Sequence, residues 1–251
     1  YTGMINEQNR MDIMTNNLAN ASTVGYKKEG STSQSFDDVL TVKIKDQSVG
    51  MRNVQRLGVK NPGVKIGENY TDYSQGSFRI TGNTYDLALS GEGFFAIEFT
   101  NKAGETDTKY TRAGQFTLNK DGYLVTEEGD YVLDTQNRRI RLNTLIDSSI
   151  TDDGTIYQNG QAVAKIQVTD FEDYDYLEKY GETYYQPIQG AKTIAAKAQV
   201  KSGYLEMANV QIVSEMVNLI SITRAYESNQ KVVQTIDDTL DVAVNQIGRV
   251  Q

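Results

Sequence analysis

"YLEMANVQIVSEMVNLISITRAYESNQKVVQTIDDTLDVAVNQI", residues 204–247, contains neither glycine nor proline. Read as one helix, the span is about 60 Å long at ~1.5 Å per residue, well beyond the usual globular helix. Apolar side chains recur in it on a 3-4 repeat at Ile212, Met216, Leu219, Tyr226, Val233, Leu240, Val244 and Ile247, with polar interruptions at Thr223, Gln230 and Asp237. That is a coiled-coil-like seam. A second row at Val210, Val213, Val217 and Ile220 widens the apolar face at the start, so this end is expected to touch more than one neighbour. At the other terminus Met4, Ile5, Met11, Met14 and Leu18 keep helical spacing over residues 2–20 and predict a short amphipathic helix. One short helix cannot cover so long a partner. A helical bundle closed within the chain therefore fits poorly, and the remaining stripe reads as an association surface.

Between the two helices the period changes. "GSFRITG" (76–82), "YDLALSGEGFFAIEF" (85–99), "KYTRAGQFTLNKDGYLVT" (109–126) and "GQAVAKIQVTDF" (160–171) alternate with period two and carry β-branched and aromatic residues. "KDGY", "DDGT" and "QNGQ" supply hairpin turns. The expected fold class is α+β: terminal helices pairing as a coiled-coil-like stalk, with a central antiparallel, hairpin-rich β-body over roughly 31–200.

Composition narrows the chemistry. The 251 residues include no cysteine and no histidine, which excludes triad hydrolases, thiol nucleophiles, zincins and disulfide frameworks. A net charge of -8 without a concentrated basic face argues against a nucleic-acid partner. No run of about eighteen apolar residues is present, so no membrane insertion is expected. The first residues also lack the basic-then-apolar pattern of a secretory signal, and a start at Tyr1 suggests that a few natural residues have been trimmed.

Four motifs resemble chemistry. "GEGFFA" (91–96) matches a dinucleotide fingerprint, but the alternating text after it predicts a strand where the fingerprint needs a helix. "TLNKDGYLVTEE" (117–128) places Asn119, Asp121, Gly122 and Glu128 as a calcium loop would, yet it starts on Thr117 and reads better as an Asp-Gly hairpin. The acidic run Glu172, Asp173, Asp175, Glu178 and Glu182, interleaved with Tyr174, Tyr176 and Tyr180, reads as a solvated loop. Lys27-Lys28 and Arg138-Arg139 read as surface charge. No catalytic residue, metal ligand or cofactor site is expected.

"NNLANASTVGYKKEG" (16–30) is the remaining puzzle, since a two-residue turn would end the first helix. Asn and Ser/Thr side chains can replace the helix ladder where it stops, Gly25 offers a positive-φ position, and Tyr26 a large anchor with a polar tip.

Its first twelve residues, "NNLANASTVGYK" (16–27), together with "DLALSGEGFFAI" (86–97), "YTRAGQFTLNKDGYLVT" (110–126) and "GYLEMANVQIVSEMVNLISITRAYESNQKVVQTID" (203–237), resemble the bacterial flagellar rod and hook proteins, and within them the basal-body rod group. The blocks occur in the family's order and cover about half of the chain, with Asn17, Leu18, Ala19, Asn20, Gly25 and Tyr26 in the amino-terminal signature. The resemblance implies a structural subunit for motility, located in the flagellar basal body. Such a subunit is exported unfolded by the flagellar (type III) apparatus and self-assembles with copies of itself and with other rod and hook proteins. It implies residues 1–30 and 203–251 as the helices of a tube domain, 31–72 as an extended connecting segment and 73–202 as the β-rich body. The length of 31–72 favours the distal rod type. "EMANVQ" departs from the Ser-Asn-Val-Asn text usual in that type, so a proximal rod or hook protein stays as an alternative. From another class, a carboxylate-dependent cell-wall hydrolase would release fragments from peptidoglycan, and none is expected.

Overall fold

The computed structural model describes residues 1–44, 54–101 and 104–247. Contacts divide the chain into two compact units, one of Tyr1–Leu18, Glu29–Asp72 and Ile212–Gln251, the other of Ala19–Lys28 and Tyr73–Gln211.

The first unit holds both terminal helices, α1 (Thr2–Ala19) and α2 (Ile212–Val242), packed together. The amide of Asn229 lies on Gly3, where an added Cβ would stand 3.6 Å from its Nδ2. A wider π turn, Ala243–Ile247, continues α2. The segment between the two helices in this unit forms antiparallel pairs, Glu29–Ser35 with Val64–Thr71 and Val39–Ile44 with Val54–Lys60.

Helix α2 starts later than its sequence suggests. Tyr204–Glu206 is a strand paired with Phe78–Ile80, and Leu205 and Glu206 are buried there. A short apolar run without glycine or proline does not distinguish helix from strand by period, and burial against the sheet decides it here. With 31 residues α2 is about 46 Å long, and with 18 residues α1 is about 27 Å.

The second unit is the β-body. Its largest sheet runs, in spatial order, Leu177–Tyr180, Tyr184–Pro187, Thr106–Thr111, Phe94–Thr100, Tyr131–Val132, Leu124–Thr126 and Phe116–Leu118, while Val168–Phe171 joins Phe94–Thr100 to Thr193–Ala195. All of these pairings are antiparallel. "FFAI" is apolar at every position because the sheet is covered on both faces. Phe94 and Ala96 enter a cluster with Tyr110, Leu133, Phe171 and Tyr185, whereas Phe95 enters a larger one with Leu87, Phe116, Leu124, Ile140 and Ile156.

The turns behave as their residues require. Gly91 and Gly93 take φ of +116° and +134°, and a strand follows them, so "GEGFFA" bends a chain and opens no helix. Residues 117–128 form a hairpin in which the Asn119 side-chain oxygen Oδ1 accepts the Asp121 and Tyr123 amides. The acidic run holds a short 3-10 turn, Tyr174–Tyr176, followed by the strand Leu177–Tyr180.

Candidate assembly interface

The inner face of α1 is partly polar. Asn6, Ile13 and Asn17 are its buried residues, while Met4, Met11, Met14 and Leu18 are half-buried around them and Ala19 is exposed. The α2 positions with reduced exposure are Glu215, Leu219, Ile222, Thr223, Tyr226 and Asn229. Of the predicted seam, Leu219 and Tyr226 lie on this covered row. Ile212, Met216 and Leu240 remain 48, 49 and 58 % exposed, and Val233 37 %. Val213, Val217 and Ile220 are also open to solvent. Every side chain described from Lys231 to Asn245 is exposed. Glu215 and Ile222 lie off both apolar rows, so no periodic signal in the sequence singles them out.

Length explains this division. Helix α1 is 13 residues shorter than α2 (31 minus 18), about 20 Å of helix that it cannot line. No helix among the described residues is long and apolar enough to cross a membrane.

The stretch after α1 is held by named bonds. Asn17 Nδ2 donates to the Glu29 carbonyl at 2.8 Å, and the Glu29 amide donates to Asn17 Oδ1 at 2.9 Å. One buried side-chain amide thus pairs with a strand residue as a second strand would. Replacing Asn17 by leucine removes both bonds at a buried position, and a loss of ~1–3 kcal/mol in unfolding free energy is expected. Chemical denaturation of the purified protein measures it, and an unchanged midpoint would refute the role.

Asn20 closes the turn, accepting the Thr23 hydroxyl at 3.1 Å on its side chain and the Thr23 amide at 3.0 Å on its carbonyl. Its Nδ2 donates to Glu182 at 2.8 Å, which draws one member of the acidic run into the structure. Gly25 has φ +70°, and its amide donates to the Glu206 carbonyl at 2.8 Å. A Cβ at this glycine would lie 2.2 Å from the Ala113 amide nitrogen. Tyr26 is fully buried, with the Lys179 ammonium 4.2 Å from its ring centre.

Lys27 corrects the reading of Lys27-Lys28 as surface charge. It is fully buried, donating to the Ser74 carbonyl at 2.8 Å and to Glu206 at 2.6 Å. Its long stem passes through the interior because an acceptor set waits at the end, and sequence alone does not show that set. The Arg138-Arg139 pair does lie at the surface, bound to Asp134 and Glu98.

Beside the turn lies a cavity of about 450 Å³, lined by Ser22, Thr23, Val24, Arg79, Gln115, Thr126, Glu127 and Tyr184, among others. Burial, above all, holds the Tyr184 phenol above its ordinary range, and the Asp130 carboxylate adds to this. The phenol stays protonated and donates to Asp130 at 2.9 Å. Among the described residues no group of three or more acidic side chains could hold a metal ion.

A β-body whose chain ends form a helix pair, with the longer helix apolar on its uncovered side, defines a structural subunit built for association. The comparisons with known proteins agree. Residues 1–27 match the family described as flagella basal body rod protein, 88–160 the flagellar hook protein FlgE/F/G D1 domain, and 201–247 the flagellar basal body rod FlgEFG protein C-terminal family. The flagellar basal-body rod protein FlgG of Bacillus subtilis is 34% identical over 97% of this chain and 96% of its own length. FlgF of Caulobacter vibrioides, also a flagellar basal-body rod protein, is 32% identical over 100% of this chain and 98% of its own length. The flagellar hook-basal body complex protein FlhO of Bacillus subtilis is 29% identical over 99% and 97%. The chain belongs to the flagellar basal-body rod protein family, FlgF/FlgG. It is a structural subunit of the rod and hook group, and its family assembles with other rod and hook proteins in the cell envelope.

Proposed function

We propose that this chain is a distal rod subunit, exported through the flagellar secretion apparatus and polymerised by its terminal helices into a hollow axial drive shaft. The carrying observation is the outward face of α2, where Val213, Val217, Ile220, Ile236 and Leu240 are all exposed. Burying one such side chain stabilises by roughly 1.5–3 kcal/mol, so a row of them favours assembly strongly when neighbouring copies cover it. The proposed assembly set joins Met4, Met11, Met14 and Leu18 of α1 to Ile212, Met216, Leu219, Tyr226, Val233 and Leu240 of α2. The connecting segment at 31–72 supports the distal position by its length.

Electron microscopy of basal bodies from a strain lacking this gene tests the reading. A truncated rod without a hook is expected, with a length that places the missing subunit at the distal end. A complete rod lacking only the hook, or an unchanged basal body, would refute the assignment.

A further inference from the structure

Glu206 is fully buried, and separate parts of the chain converge on it. Its Oε1 accepts Lys27 Nζ at 2.6 Å and the Gly76 amide at 3.0 Å, and its Oε2 accepts Arg112 Nη1 at 3.3 Å. Its backbone carbonyl takes the Gly25 amide at 2.8 Å. Close by in sequence, Asn209 accepts the Lys28 amide at 2.7 Å and donates to the Ser74 hydroxyl at 3.0 Å. The turn that follows α1 and the strand that precedes α2 therefore meet on one residue of the β-body.

We propose that Glu206 is a positioning residue for assembly: its carboxylate is the acceptor that holds residues 19–28 against the β-body, fixing both segments that flank the terminal helices to one point.

The chemistry of the site demands a carboxylate. All three side-chain contacts are N–H donors, two of them on cationic groups, and only an acceptor on both oxygens satisfies the set. Glutamine at this position would keep one oxygen for Lys27 and Gly76 but turn an amide N–H₂ toward the Arg112 guanidinium, donor against donor. Arg112 depends on the carboxylate most. Its side chain is 3% exposed, its Nε has no hydrogen-bond partner among the described residues, and its guanidinium lies 5.2 Å from the Phe94 ring centre. Leaving such a cation in the interior without its anion is strongly unfavourable.

The test is hydrogen exchange of the 19–28 amides in the purified full chain, for E206Q, R112M and the double variant. E206Q is expected to speed exchange there by roughly a hundredfold or more. R112M alone leaves the Lys27 and Gly76 contacts and is expected to have a smaller effect. Adding R112M to E206Q removes the stranded cation, so the double variant should protect residues 19–28 better than E206Q alone. A role in bulk packing alone predicts additive losses, and additivity or unchanged protection would overturn the proposal. Should E206Q fail to fold, K27M supplies the measurement, because it keeps the Arg112–Glu206 pair. Faster exchange confined to the turn is then expected, and unchanged protection would overturn the idea. The assembly consequence rests on the rod reading, whereas the exchange result does not. Loss of protection beside normal basal bodies in the deletion strain would therefore count against the rod assignment and leave the clamp standing.

Discussion

Gly25→Ala is expected to release the 19–28 turn from the β-body and to abolish assembly. Two costs add at this position. An alanine at φ +70° is disfavoured by roughly 1–2 kcal/mol relative to glycine. Its Cβ would also fall 2.2 Å from the Ala113 nitrogen and 2.5 Å from the Arg112 carbonyl carbon, both backbone atoms that cannot rotate away. Relieving that overlap pulls the Gly25 amide from the Glu206 carbonyl and costs a further ~1–3 kcal/mol. Gly181 is the natural control, since it has the same φ of +70° and nothing within 4 Å of the corresponding Cβ position. Gly181→Ala should show the conformational cost alone. Denaturation midpoints of the two variants measure the difference. Equal midpoints would mean that the close approach at Gly25 has no energetic weight.

The second large effect separates assembly from folding. Leu240→Asp and Val233→Asp alter α2 beyond the part that α1 covers, so the purified subunit should unfold within ~0.5 kcal/mol of the unaltered protein. In the assembled rod each change would lose ~1.5–3 kcal/mol of apolar burial and place a carboxylate in a dry interface. Because every copy carries the defect, motility should be lost while the β-body stays intact. Leu219→Asp is expected to behave differently. Leu219 is half-buried within the subunit, so this variant should loosen the folded subunit as well as block assembly. Normal swimming of the Leu240 variant would contradict the assignment of this face.

Much of the architecture was legible because periodicity reports burial directly. The 3-4 spacing of the two terminal segments and the period-two text between them gave the α+β division, and the Asp-Gly pair at 121–122 gave its hairpin. The beginning of α2 was not legible, since "YLE" lacks the length to show a period and is a strand only because Phe78–Ile80 offers a partner. The inner face of α1 was obscured for another reason. Its methionines draw attention to the half-buried flank, whereas the buried positions include Asn6 and Asn17, whose amides serve the Ser33 hydroxyl and the Glu29 backbone. Lys27 and Glu206 were the deepest omission. A lysine beside another lysine reads as surface, and Glu206 falls in the stretch that reads as the start of a helix. Their pairing spans most of the chain, and no local pattern encodes it.

The central claim is that the outer face of α2 is solvent-exposed in the isolated subunit and covered in the assembled rod. A chain without cysteine allows this to be read one position at a time. Single cysteines at Val217 and Leu240, 61 and 58 % exposed, should react readily with a soluble maleimide in the purified protein. In basal bodies isolated from cells expressing the same variants, the reaction should be strongly suppressed at both positions. Equal reactivity in the two states would show that other subunits leave this face open, and the assembly account would fail.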